Sequence, residues 1–168
     1  MVVSNSSPII NLACIGRLDL LPALYDTIVI PPAVLHETTM VLPNAPGAAT
    51  VRAASWIQCR EIANRSLVAS LRLELDPGEA EAIACALEGQ ARLLLIDERR
   101  GRNVAHRLGL SVIGLVGVLL LAKRRGLVAQ IRPLLEGLRQ RAGFWMSDAL
   151  YDRVLQEADE VGIADRRD

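Results

Sequence analysis

The segment "ARLLLIDE", residues 91–98, constrains this chain more than any other. Leu93 to Ile96 are aliphatic without a break, and the run ends abruptly on Asp97 and Glu98. A strand with one wet face alternates apolar and polar side chains; a strand covered on both faces need not. This segment therefore predicts a central strand of a parallel sheet, with helices above and below. Aromatic residues make up only 3 % of the chain, so Leu, Ile, Val and Ala must fill the core, which suits the same architecture.

Four further segments match that strand. Val2–Ser4, "TIVIPP" and "LSVIG" are short and apolar, and the more polar "SWIQCREI" reads as the third strand. Helices are expected between them: Pro8 to Ile15, "RLDLLPALY", a helix opened by Pro32, an Ala-rich helix before "SWIQCREI", and "RGRNVAHRLG". "LDPGEAEAIACALEGQ" is the clearest helix, with Asp76 able to cap it, Pro77 in the first turn, Glu79 three residues after the cap and Gly89 as its stop. "LVGVLLLAKRR" is another. "LPNAPGAAT" reads as a surface loop and the final "DRRD" as a frayed end. Alternating strands and helices with short connections imply an α/β domain with a mainly parallel sheet. We expect one domain over 1–168, with a helical C-terminal extension about 129–160.

Nineteen basic and nineteen acidic residues cancel, so nucleic acid would have to be held by a local patch or a bridging metal rather than by the overall field. Cys14, Cys59 and Cys85 are far apart and lack C-x-x-C spacing, and are expected as buried free thiols. No basic segment precedes an apolar core at the N-terminus, and the uncharged run Leu108 to Ala122 falls short of a membrane span. A cytoplasmic protein is expected. His36 and His106 have no nucleophile beside them, and no dinucleotide, phosphate-loop or G-x-S-x-G pattern is present.

In parallel sheets ligands sit beyond the carboxyl ends of the strands. Asn5 follows the first strand, in "VVSNSSP", and Asp97 the fourth; Glu37 lies on the helix after the second; Glu79 opens the helix leading to the fourth. Each has a plainer reading. Asn5 and Asp97 suit helix caps, Glu79 completes an Asp-x-x-Glu capping box, and Glu37 suits an exposed helical position. Glu79 shares a helix face with Ala82, Ile83 and Ala86, whereas Glu81 projects elsewhere and is expected to be solvated. Arg99, Arg100 and Arg102 either grip phosphates or form a solvated helix start. Clustered carboxylates normally hold a cation, and oxygen ligands alone favour Mg²⁺ or Mn²⁺ over zinc.

"VVSNSSPIINLACIGRLDLL", "IVIPPAVLHE", "LDPGEAEAIACALEGQARLLLIDERRGR" and "GLSVIGLVGVLLLAKRRGL" together resemble the PIN-like domains. The closest branch is a largely uncharacterised prokaryotic one, related to the toxins of VapBC-type toxin–antitoxin pairs. The resemblance covers roughly Val2 to Phe144. It implies a three-layer α/β/α sandwich and an Mg²⁺- or Mn²⁺-dependent endoribonuclease that uses three or four acidic side chains. On this chain those positions fall at Asn5, Glu37, Glu79 and Asp97, with Ser7 as the hydroxyl residue near the first. Asn5 stands where the family usually has Asp, and an amide brings an oxygen but no charge. The resemblance further implies RNA as substrate, a cognate antitoxin as partner and a possible homodimer. A catalytically weakened domain that binds protein or RNA is the alternative.

Overall fold

The structure, a computed structural model, describes residues 1–41 and 47–160. Its sheet holds β1 (Val2–Ser4), β2 (Ile28–Ile30), β3 (Ile57–Cys59), β4 (Leu93–Leu95) and β5 (Val112–Ile113) in the order β3-β2-β1-β4-β5. Every neighbouring pair is parallel, with Val3 opposite both Val29 and Leu94. Leu94, Leu95 and Ile96 are wholly buried, as an unbroken aliphatic run requires. The expected α/β/α arrangement around a parallel sheet is the one formed.

The helices are α1 (Ser6–Cys14), α2 (Leu20–Tyr25), α3 (Pro32–His36), α4 (Ala48–Ala53), α5 (Arg65–Leu71), α6 (Pro77–Glu88), α7 (Arg99–Arg107), α8 (Leu115–Arg124), α9 (Arg132–Arg141) and α10 (Asp148–Glu157). A π-helical turn, Glu37–Val41, continues α3. Helix α6 is the centre of the packing, touching β1, β4, α3, α5 and α7. Its Ala80, Ala82, Ala84 and Ala86 are fully buried, and these small side chains let neighbours approach on several sides at once. Residues of α9 and α10, among them Leu135, Leu138, Val154 and Leu155, join the same apolar core. Glu160 ties this end down, accepting hydrogen bonds from Lys123 Nζ at 2.8 Å and the Ile131 amide at 2.6 Å.

Some expectations need correcting. Helix α1 begins at Ser6, two residues before Pro8, which sits in the first turn where its missing N–H leaves no bond unmade. Helix α5 was not anticipated; Asn64 caps it, accepting from the Leu67 amide at 2.9 Å, and Val68 and Leu71 anchor it. Of the expected loop 42–50, residues 42–46 lie outside the described residues, while Ala48–Thr50 are helical behind Gly47 at φ +86°. "DRRD" also lies outside the described residues. All three cysteines are free, but only Cys85 is buried; Cys14 is half-buried and Cys59 is exposed on the outermost strand.

The strand order carries the functional consequence. From β1 the chain builds outward to β2 and β3, then returns past β1 to add β4 and β5. The direction of winding thus reverses between β1 and β4, and a crevice opens beyond their carboxyl ends. Asn5 follows one of these strands and Asp97 comes two residues after the other.

Candidate functional site

Asn5 takes the N-cap position of α1 with extended backbone, yet its side chain makes no capping bond. Its backbone N–H donates to the Leu95 carbonyl at 3.0 Å, locking the end of β1 to β4. The side chain is buried and its Oδ1 has no hydrogen-bond partner. Beside it the Ser6 hydroxyl donates to Glu37 Oε2.

Glu37 is half-buried rather than free on a helix surface, because two elements hold it. Its second oxygen, Oε1, accepts from the Gly78 amide at 3.0 Å. A Cβ on Gly78 would run into that carboxylate, so glycine there is a condition of the contact. Glu37 thereby joins the starts of α1 and α6.

Glu79 is 6 % exposed. Its carboxylate accepts from the Asp76 amide, one half of the capping box, while the Asp76 side chain makes no cap bond. The other oxygen, Oε1, is buried without a partner. Gly101 in the first turn of α7 admits it: a Cβ there would collide with Glu79 Oε1. Capping and site readings of Glu79 are therefore compatible. Burial first, then the negative charge of Glu98, push its carboxyl from 4.5 up to about 7.

Asp97 does not cap its own helix; Glu98 holds that position, also without a side-chain bond. Instead Asp97 Oδ1 accepts from the Leu115 amide at 2.6 Å, at the start of α8. Asp97 Oδ2 is buried and unpartnered. Burial raises the Asp97 carboxyl from 3.8 to about 6, even though the Leu115 amide and the Arg102 guanidinium pull it down.

A chain of contacts thus runs around the crevice, from Leu115 to Asp97, from Gly101 to Glu79, from Gly78 to Glu37, and from Ser6 and Asn5 back to Leu95. Unsatisfied buried polar atoms cost about 1–3 kcal/mol each and call for a reason. Four such side-chain atoms occur among the described residues, and three of them are Asn5 Oδ1, Glu79 Oε1 and Asp97 Oδ2. These are hard oxygen donors of the kind Mg²⁺ and Mn²⁺ take. Glu37 differs, since both its oxygens already accept protein hydrogen bonds. Among the described residues no three carboxylate, imidazole or thiolate groups stand together as a ready metal cage.

A family model described as a PIN domain, DUF3368, matches residues 1–160. The chain belongs to the PIN domain family. Membership points to nuclease activity in general, to nucleic acid as partner, and to the divalent-metal dependence such domains generally show. No curated protein matches this PIN domain. Among its described residues no helix is long and apolar enough to cross a membrane.

Other residues of this PIN domain fall less evenly. Ser6, not Ser7, makes the bond to Glu37; Ser7 is half-buried and outside that network. Arg99 lines a groove together with Asp97 and Arg102, whereas the exposed Arg100 lines a separate one with Asn103 and Arg107. Glu81 is not solvated. It accepts from the Ala33 amide at 2.9 Å and pairs with Arg65 at 3.2 Å, bracing α3 against α6. Gly78 and Gly101 are the contributors that sequence reasoning passed over. Their signal was available, since glycine inside a helix costs about 1 kcal/mol relative to Ala and needs a reason.

Proposed function

We propose that this PIN domain is a metal-dependent endoribonuclease and the toxin half of a toxin–antitoxin pair. One observation supports the nuclease reading: among the described residues, three of the four buried side-chain polar atoms without a partner are oxygens of Asn5, Glu79 and Asp97, and Asn5 and Asp97 follow the two strands between which the sheet reverses its winding. Asn5, Glu79 and Asp97 would hold Mg²⁺ or Mn²⁺, with Glu37 as the fourth member of the set. A bound divalent ion supplies a water of lowered pKa and neutralises charge on the phosphoryl oxygens. The protein's own part is positional. Glu37 clamps Ser6 and Gly78 so that Asn5 and Glu79 keep their places, and the Leu115 amide leaves Asp97 Oδ2 directed away from its own helix cap. Arg99 and Arg100 are assigned to orienting the RNA backbone, and Ser7 to a substrate contact. The cognate antitoxin, cytoplasmic location and homodimer belong to this proposal.

A second reading, a domain that binds RNA or protein with little catalysis, is favoured by the missing charge at Asn5. Cleavage of single-stranded RNA in Mg²⁺, Mn²⁺ or EDTA separates the two. The nuclease reading expects metal-dependent cleavage that Asp97→Asn abolishes and Asn5→Asp increases. Cleavage indifferent to chelator and to both substitutions rejects it, and RNA binding with no cleavage in either metal supports the second reading. Growth arrest on induced expression, relieved by the product of a neighbouring small reading frame, tests the toxin role; absence of arrest removes it.

A further inference from the structure

Next to Asp97 lies a groove of about 600 Å³, within the size range of small-ligand sites. Its polar wall is Arg99 and Arg102, and its apolar wall includes Val116, Phe144 and Trp145. The floor is Gly114, where an added Cβ would sit 2.8 Å from Arg102 Nη1 and 3.0 Å from Asp97 Oδ1.

Trp145 is the anomaly. The chain has only five aromatic residues, and this one is 84 % exposed. Its backbone, however, is held on both sides. Gly143 turns the chain at φ +62°, and the Phe144 amide donates to the Leu138 carbonyl at 3.0 Å. On the other side Met146 is buried, and Arg139 Nη2 donates to its carbonyl at 2.9 Å and to Asp148 Oδ1 at 2.9 Å. Arg139 in turn stacks on Tyr151, 4.6 Å from the ring centre. A large apolar ring on an anchored backbone, facing solvent beside two guanidinium groups, loses little freedom when a flat partner covers it.

We propose that this groove seats an unpaired base of single-stranded RNA against Trp145, with Arg99 and Arg102 on the adjoining phosphate. The proposal rests on the nuclease reading for its substrate. Charge complementarity selects this occupant. Guanidinium groups suit the phosphates, the indole suits any base face, and Asp97 at the same groove puts the bound strand beside the candidate centre. A duplex cannot insert a base without unstacking it, so the site discriminates against paired RNA.

The test uses the full chain in EDTA, with Trp56→Phe so that Trp145 is the sole indole. A non-self-complementary eight-nucleotide RNA carrying a terminal fluorophore is titrated; Trp145 emission is followed in the Trp56→Phe protein, and the anisotropy of the labelled RNA gives the affinity of every variant. We expect quenching, an affinity at least about fivefold weaker in Trp145→Ala, substantial recovery in Trp145→Phe, and no quenching by the same sequence as a duplex. Equal affinity in Trp145→Ala, or no quenching of Trp145 by the single strand, overturns the proposal. So does sedimentation showing a homodimer that Trp145→Ala dissolves, because a second copy then covers the ring. Because binding is read in chelator, quenching with no metal-dependent cleavage overturns the nuclease reading alone. Metal-dependent cleavage with unaltered Trp145→Ala affinity overturns the groove alone.

Discussion

Replacing Glu79 by Gln should make the metal-free protein more stable at pH 8 while removing its activity. The reason is the environment that α6 and α7 create. Glu79 is buried, faces Glu98 and Glu37, and holds its proton up to about pH 7 instead of 4.5. Because the folded-state pKa lies above the unfolded one, the native protein binds the extra proton between those values. Its stability therefore falls as pH rises through that window, and the loss is complete above about pH 7. At about 1.4 kcal/mol per tenfold change in proton affinity, the ionised carboxylate costs the fold about 3 kcal/mol. Gln keeps the acceptor for the Asp76 amide but carries no charge to desolvate. Urea unfolding in EDTA from pH 4 to 8.5 measures the effect. The difference in stability between the Glu79→Gln variant and the unmodified protein should grow by about 3 kcal/mol across the window, whatever its value at pH 4. Parallel pH curves for the two proteins would refute the reasoning, since the carboxylate would then ionise without penalty. Adding Mg²⁺ at pH 8 should raise the stability of the unmodified protein and leave the Glu79→Gln variant nearly unchanged.

Three other substitutions probe the same frame. Asn5→Asp adds an anion at the crevice, so thermal melts should show a less stable metal-free protein and a larger upward shift with Mg²⁺ than the unmodified chain gives. Gly101→Ala drives a methyl group into Glu79 Oε1 and to 2.5 Å from Ile96 Cδ1; RNA cleavage should be lost, and urea unfolding should show a net destabilisation of up to about 2 kcal/mol after the gain in helix propensity. Glu81→Ala deprives the Ala33 amide of its acceptor and should cost about 1–2 kcal/mol in urea unfolding with cleavage retained. Its exposed Arg65 partner adds little to that figure.

Much of this was legible beforehand because it depends on local chemistry. An aliphatic run without alternation announces a doubly covered strand, and Asp-Pro-Gly-Glu before an apolar helix announces α6. Helix α5 was not legible, since "NRSLVASL" has a cap but too short an apolar stripe to stand out. The site residues were visible as polar groups after strands, yet each also suited a cap or a wet helix face. Distinguishing the readings required knowing whether the oxygens met a partner. Asn5 holds an N-cap position without making a capping bond, and Asp97, one residue before the cap of α7, accepts from the Leu115 amide of α8 instead. Glu81 shows the converse, a residue whose spacing suggested solvent and whose carboxylate braces α3.

By itself the sequence determined the class of fold, the strands, most helices and the short list of oxygen-bearing side chains, because hydrophobic pattern and turn chemistry act over a few residues. Only the tertiary structure decided that β1 and β4 are neighbours, that Gly78 and Gly101 let carboxylates approach, and that Trp145 stands in water on a fixed backbone beside Asp97. Those outcomes depend on which surfaces meet across the sheet, and burial, which sets the charge state of Glu79 and Asp97, exists only once they have met.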